Sequence, residues 1–398
     1  MDIPPLNRGG SVTRVTRESW GSRLKGAFGG MIAGGVLLVI ATVTLFANEG
    51  RAVRRARALS EGASTVQSLA APTPDPGLEG QLVHLSGTAT TTEVLRDPEL
   101  GVEENAIRLV RSVEMYQWKE NERTEERQRA GGGTEKVTTY TYERAWSSSP
   151  IDSTSFQQRD GHQNPPFPIG GSEWRAQQVT VGEFTLADTF VDRLRRGQQV
   201  VVGESIRQQA ATLLGRPVLL ADSGLYVGAN PLQPQVGDTR IRFEASRPAL
   251  VSLVGRQESG RLVTHETRNG PLALVEYDAK SAEEMFASAR SSNRMLTWAL
   301  RFAGFLAYFL GFGLLLRPLR VLADVVPFVG RVMGAGLGFV ALGLAGICSL
   351  VVIAAGWFAY RPMLAIALFL LAGGVVAWLV VRARRAKLPA PPPPPVPA

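Results

Sequence analysis

Cysteine is almost missing. Cys348 stands alone in 398 residues, so no intrachain disulfide or cysteine-based metal site can form, and an extramembrane domain must hold together through its core. Histidine is nearly as scarce: His84, His162 and His265 lie far apart in the chain, and a lone histidine in a strand is ordinarily a structural residue. There is no His-Glu-x-x-His pair, no Gly-x-Ser-x-Gly elbow and no phosphate loop. The Gly334-x-Gly336-x-Gly338 spacing lies inside an apolar run, not behind a strand, so it is not a dinucleotide fingerprint. No catalytic residue, cofactor or metal is expected, and the chain does not read as an enzyme. Carboxylates are also in deficit, 35 against 43 lysines and arginines. The surplus sits beside apolar runs (Arg14, Arg17, Arg23, Lys25; Arg51, Arg54, Arg55, Arg57; Arg317, Arg320, Arg331; Arg382, Arg384, Arg385, Lys387). There it orients helices and attracts anionic lipid, which argues against nucleic acid as a partner.

What the chain has is four uninterrupted apolar stretches bracketing a long polar region. Residues 28–47, 296–316, 334–357 and 363–381 are each long enough to cross a bilayer as a helix, which takes about 20 residues. A mean hydropathy of +0.03 is the average of such spans and a polar domain. The expected fold class is therefore a multipass α-helical membrane protein with four spans and a large, strand-rich α+β domain between spans 1 and 2. The long pre-span segment and the absence of a small-x-small cleavage site favour a retained anchor over a signal peptide.

The arginines between spans 2 and 3 and after span 4 outweigh Arg361 in the short turn 358–362. The positive-inside rule then places the loop 317–333 and the tail 382–398 in the cytoplasm. Counting back puts 48–295 outside and the N-terminal tail 1–27 inside. The last ten residues are nearly all proline and predict an extended polyproline II end.

Residues 51–69 predict a helix continuing beyond the first span, and Pro72, Pro74 and Pro76 a linker. Strands are expected over 81–86, 88–94, 106–120 and 137–146. The last two form a hairpin with an aromatic face (Tyr116, Trp118; Tyr140, Tyr142, Trp146) and a mobile charged tip at 121–133. Helices are expected at 186–196 and 205–214. Further strands follow at 218–221, 239–245 and 249–257, the last returning through Glu258-Ser259-Gly260 into 262–267. Ser281 with Glu284 spells a capping box for a helix over 281–293. Gly26, Gly30 and Gly34, and again Gly330, Gly334 and Gly338, recur every fourth residue, a spacing that lets helices approach closely and self-associate. Arg301 is the one ionisable group well inside a span, near enough to its end to snorkel.

Several blocks in fixed order carry a resemblance. They are Asn48-Glu49-Gly50-Arg51-Ala52, Gly80 to Gly87, Val113-Glu114-Met115-Tyr116-Gln117-Trp118, and Tyr140-x-Tyr142 with Trp146. His162-x-Asn164-Pro165, Val236-Gly237-Asp238 and Gly356-Trp357-x-x-Tyr360-Arg361-Pro362 complete them. Together with the four-span layout they resemble the transmembrane protein 43 (LUMA) family nearly end to end; the tails depart. The resemblance implies a multipass protein with a lumenal or periplasmic domain and no established catalytic activity. Its eukaryotic members organise the endoplasmic reticulum and inner nuclear membrane, bind other envelope proteins and often self-associate. The Ala/Arg/Gly/Pro-rich composition points to a high-GC bacterial member, whose membrane would be the plasma (inner) membrane. The expectation is a non-catalytic scaffold that binds membrane lipids and other membrane or envelope proteins and forms a homo-oligomer. The competing classes are an oligomeric channel or transport-associated membrane protein, and an envelope-lipid enzyme. Candidate interaction or fold-critical positions are Asn48, Glu49, Gly50, Arg51, Trp118, His162, Tyr360, Arg361 and Pro362.

Overall fold

The computed structural model describes residues 3–8, 11–129, 133–221, 224–324 and 327–363, with residues 366, 374 and 378 beyond them. The chain divides into two compact units. One comprises residues 1–25, 56–292 and 321–331; the other comprises 26–55, 293–320 and 332–398.

The first unit is built from two large sheets. In the nine-stranded sheet the order is Ile3–Arg8, Ser11–Glu18, Thr134–Ser147, Arg108–Gln128, Thr239–Ser246, Gly224–Val227 and Val218–Ala221, with two short strands off this path. Thr239–Ser246 shows why such a segment is a strand. Thr239, Ile241, Phe243 and Ala245 are buried while Arg240, Arg242 and Glu244 are not, a period of two that gives the sheet one apolar face. The seven-stranded sheet centres on Leu82–Thr90 and Ala249–Glu258, paired antiparallel from Ala249↔Ala89 to Arg256↔Leu82. Its central strand is buried without interruption from Val251 to Gly255. Both of its faces are covered, which removes the alternation. Val251 and Leu253 join Val83, Leu85, Ile241 and Phe243 in one continuous core between the sheets. Val254 packs on the other side with Leu59, Met285 and Phe286, from the end of one long helix and the start of another. A Cβ on Gly62 would lie 2.2 Å from Leu272 Cδ2 and 3.2 Å from the Phe286 ring, so a larger residue there would have to displace Leu272.

The capping box is present: Glu284 accepts from Ser281 N at 2.8 Å, and Glu284 N donates to Ser281 Oγ at 3.2 Å. The turn at Ser259 (φ 49°) and Gly260 (φ 73°) joins Glu258 to Arg261, a two-residue hairpin of the I′ kind that needs positive φ at both positions. The helix expected at 205–214 spans Glu204–Leu214 and ends on left-handed Gly215.

Other expectations are corrected. The segment 88–94 is not a separate strand, because Leu82–Thr90 runs through Gly87 unbroken. The helix expected at 186–196 shrinks to Asp188–Val191 between strands. The charged tip is not loose. Residues 121–128 continue the strand and pair in register with 134–141, Asn121↔Thr141 to Gln128↔Thr134. The N-terminal tail is not a tail either. Ser11–Glu18 pairs with Thr134–Thr141 residue for residue, and Lys136 Nζ meets Glu18 at 2.9 Å. The charge bias places residues 1–27 and 48–295 on opposite sides of a membrane, and this ladder joins a strand from each segment. In the same unit Trp20 Nε1 donates to Val321 O at 3.0 Å and Arg23 pairs with Asp324 at 2.6 Å, which joins the start of the first helix to the segment following the second.

Among the described residues, three helices are long and apolar enough to cross a membrane: Trp20–Thr65, Ala282–Leu315 and Met333–Tyr360. The first absorbs both the expected span and its outward continuation into one helix of 46 residues, about 69 Å long at 1.5 Å per residue. The last runs on to Tyr360, so most of the turn expected at 358–362 is helix. The expected fourth span, 363–381, falls almost entirely outside the described residues, as does the proline-rich tail.

Candidate functional site

Two clusters gather the residues singled out by sequence. One lies in the helical unit, where the C-terminal end of the first apolar run meets the start of the second and the end of the third. Glu49 is the centre. Arg301 Nε and Nη2 donate to its two oxygens at 2.7 and 2.9 Å, and Trp357 Nε1 donates to Oε2 at 2.9 Å. The Glu49 and Arg301 side chains are 3% and 15% exposed, so this is a buried, forked, charge-assisted pair. Trp298 and Trp357 flank the guanidinium, with ring centroids 4.8 and 5.8 Å away. Arg301 therefore does not snorkel; it is held in the interior by a carboxylate 252 residues earlier.

The neighbours of Glu49 fit the close approach this needs. A Cβ on Gly356 would lie 2.9 Å from Glu49 Cβ, and one on Gly50 would lie 2.6 Å from Tyr360 Cζ. The Tyr360 ring also packs on Phe46, centroids 5.5 Å apart, and Arg54 stands 6.0 Å from its centroid. Asn48 donates to Thr297 O at 3.1 Å and accepts from Arg51, which also donates to Asn293 and Thr297. Asn48, Glu49, Gly50, Arg51 and Tyr360 thus come together, with Arg361 and Pro362 just beyond the third helix's last turn. Asn293 and Thr297 were missed by sequence reasoning. The signal for Glu49–Arg301 was present: Glu49 is the sole carboxylate in segments 26–55, 293–320 and 332–398, and an arginine inside a span needs one.

From about one turn below Glu49 onward, small residues set the spacing of the first two apolar runs. A Cβ on Gly34 would lie 2.8 Å from Gly311 O, and one on Gly304 would lie 2.5 Å from Leu45. Of the expected glycine ladders, Gly34 makes the tight contact, Gly30 ordinary contact with Leu314 and Arg317, and Gly334 meets Arg320 at 3.0 Å; Gly26 and Gly338 face open space. Gly330 lies in the third helix, with its surroundings outside the described residues. Gly304 and Gly311, seven apart on the second helix, were not anticipated. Ala41, Leu45, Tyr308 and Ala345 form the core there, with Thr42 Oγ1 2.6 Å from Tyr308 Oη.

The second cluster lies in the sheet unit. Trp118 and Tyr142 come from the two strands of the long hairpin. The His162 ring stacks on Tyr142 with centroids 4.1 Å apart and meets Trp118 edge-on at 4.6 Å. Asn164 imitates a strand: its Oδ1 accepts from Trp118 N at 2.7 Å and its Nδ2 donates to Trp118 O at 2.9 Å. Tyr142 Oη donates to Glu120 at 2.6 Å and accepts from Gln158 N at 2.8 Å. Burial, then that bond to Glu120, pushes the Tyr142 hydroxyl up to about 12. The other histidines are apart from this cluster. His84 is buried between Ser68 Oγ and Lys280 O, at 3.2 and 2.9 Å, and desolvation lowers its pKa against the bond to Lys280. Among the described residues no group of three or more His, Cys, Asp or Glu is placed to hold a metal ion.

The remaining buried charge of this unit is also committed to structure. Arg111 meets Asp97 at 2.6 Å, with both side chains at most 1% exposed, and bonds Glu99 as well. Asp97 in turn accepts from the backbone N–H of Glu99 at 2.9 Å, tying the 97–101 turn to the sheet. Tyr226 donates to Asp238 at 2.6 Å and Asp238 meets Arg216 at 3.3 Å, which fixes the ends of the 228–237 loop.

No solved structure matches this chain. Its sequence is 33% identical over 394 residues to transmembrane protein 43 of Rattus norvegicus, covering 94% of each chain. It is 34% identical over 384 residues to the Homo sapiens protein of that name, covering 91% of this chain and 92% of that one. The Drosophila melanogaster homolog is 31% identical over 383 residues, at 92% and 96% coverage. A family model described as transmembrane protein 43 matches residues 115–362, a stretch that holds the Trp118–His162 cluster and two of the three helices around Glu49. The chain is a membrane protein and belongs to the transmembrane protein 43 family.

Proposed function

We propose that this protein is a non-catalytic membrane scaffold. Its sheet unit binds protein or lipid partners, its helices self-associate, and the whole serves to organise the membrane in which it sits. In a bacterial cell that membrane is the plasma membrane; in a eukaryotic one it is the endoplasmic reticulum and inner nuclear membrane. The observation that carries this reading is the closed set of partners around Glu49. A carboxylate, a guanidinium and an indole are bonded to one another in a buried joint, with both carboxylate oxygens taken. Arg111–Asp97 and Tyr226–Asp238 do the same in the sheet unit. The lipid- or partner-facing sides of the helices carry Ile32, Val36, Val43, Phe302, Phe339 and Leu350, each at least 56% exposed, which suits packing against acyl chains or a second copy.

Crosslinking with mass spectrometry on intact membranes tests it. A reproducible neighbour attached to residues 80–280, or a self-crosslink between helices, is the expected result. A labelled protein with neither would end the scaffold reading and favour the channel class, which conductance in reconstituted bilayers would then detect.

A further inference from the structure

Charge at the Glu49 end of the helical unit does not balance. Arg51, Arg54, Arg294, Arg301 and Arg361 lie in that part of the unit's sequence, against Glu49 as the unit's one carboxylate. Both Glu49 oxygens are taken by Arg301, and one of them also by Trp357. Arg51 is held differently. It donates to Asn48 Oδ1 at 3.4 and 3.0 Å, to Asn293 Oδ1 at 2.9 Å and to Thr297 Oγ1 at 3.1 Å. All three acceptors are neutral, and two belong to buried residues, Asn48 and Thr297. These bonds fix the guanidinium's position and leave its charge whole. They use four of its five N–H groups, so one Nη1 hydrogen remains to donate.

Further exposed cations lie on the elements around it: Arg54 one turn further along the first helix, Arg294 beside Asn293 on the second, and Arg361 beside Tyr360 at the end of the third. Arg294 and Arg361 are exposed and have no carboxylate partner among the described residues. Met295 and Trp298, 71% and 67% exposed, flank Arg294 on the second helix, and the exposed apolar run of the first helix (Val39, Ile40, Val43) begins about one turn before Asn48. An indole, a thioether and arginines at the rim of an apolar surface are what a headgroup layer accommodates.

We propose that Arg51, with Arg54, Arg294 and Arg361, binds the phosphate of an anionic phospholipid headgroup. Guanidinium forks match phosphate oxygens in geometry and charge. A net-anionic headgroup such as phosphatidylglycerol is favoured over phosphatidylcholine, whose own ammonium partly cancels its phosphate. Glu49 does not compete, because its lone pairs face Arg301 and Trp357. The proposal stands apart from the scaffold reading; it concerns the helical unit whatever the sheet unit binds.

The test uses the full-length protein reconstituted in mixed phosphatidylcholine and phosphatidylglycerol vesicles, extracted gently, with retained lipid identified by native mass spectrometry. Wild type is expected to retain phosphatidylglycerol above its share of the vesicle. Arg51→Gln should lower that enrichment by roughly five-fold, and Arg294→Gln with Arg361→Gln by more. Should Arg51→Gln fail to fold, the exposed Arg294/Arg361 pair carries the test alone, since neither side chain packs in the bundle. Lipid retained in proportion to the vesicle, or enrichment untouched by the Arg294/Arg361 pair, overturns the proposal. Displacement of the retained lipid by soluble glycerol phosphate at low concentration would assign the site to a free phosphate ester and overturn it as well.

Discussion

Removing the Glu49 carboxylate should damage the helical unit more than any exposed ion pair could. Glu49→Leu strands Arg301, whose side chain is 15% exposed, and leaves the Trp357 indole N–H without its acceptor. Breaking one side of a buried pair costs about 3–5 kcal/mol, against about 0–1 for a surface pair. The unpaired indole N–H belongs within that figure. Arg301→Met should cost a similar amount, because it leaves a buried carboxylate uncompensated. The double variant Glu49→Leu/Arg301→Met is the informative one. With both charges gone the desolvation penalty goes too, so its stability should return to within about 1 kcal/mol of wild type or exceed it. Unfolding free energies from detergent titration of the micelle-solubilised protein, followed by tryptophan fluorescence, give all four corners of the cycle. Two results refute the reasoning: single variants that lose less than about 1 kcal/mol, or a double variant whose loss is the sum of the two.

Four further outcomes follow from other parts of the molecule. Gly34→Val should cost about 1–3 kcal/mol by overpacking, since its Cβ would lie 2.8 Å from a backbone oxygen that cannot rotate away; Gly26→Val, with nothing within 4 Å, should be near neutral in the same titration. Val15→Cys with Val137→Cys, directly opposite in the ladder, should oxidise to a disulfide in intact membranes, as opposed strand residues lie within bridging distance. No crosslink, with the two cysteines labelled from opposite sides by an impermeant reagent, would dissolve the pairing and restore an N-terminal tail across the bilayer. His84 and His265 have folded pKa values lowered chiefly by burial, so the unfolded chain binds more protons than the native one below about pH 6.5. Stability should fall as pH drops through that value, and His84→Gln should flatten the fall in thermal melts at pH 5 and 7; a melt insensitive to pH would contradict it. Asn164→Ala should destabilise the hairpin by about 1–3 kcal/mol, because the Trp118 N–H and C=O lose their shared partner, read as earlier hydrogen exchange around residues 116–120.

Local chemistry was legible where it is complete within a few residues. The Ser281–Glu284 box, the Ser259-Gly260 turn and the apolar lengths of the spans each state their own geometry. The aromatic face of the hairpin was also readable, and Tyr116 does meet Trp146 at 5.2 Å. What failed depends on distant partners. The Ser11–Glu18 strand carries Arg14, Arg17 and Glu18 and looks like a solvated lead-in; its ladder partner is more than a hundred residues away. The same charges made 121–128 resemble a mobile tip, whereas alternating signs in paired strands are satisfied across the ladder. For the Glu49 cluster, motif blocks pointed to Asn48-Glu49-Gly50-Arg51 and to Tyr360. Their mutual contact and the choice of Arg301 as counter-ion are tertiary facts, set by where Gly50, Gly356 and Gly304 allow three helices to close.

That counter-ion also sets a clock for synthesis. Glu49 leaves the ribosome 252 residues before Arg301 and 308 before Trp357. At about 5–20 residues per second the first helix waits roughly 13–50 s with its carboxylate unanswered, while the whole sheet unit is being made. During that interval the joint around Glu49 cannot close, because its two donors have not been made. Arrival of the second helix brings Arg301, so completion of the sheet unit and maturation of the membrane anchor are coupled in time by one ion pair.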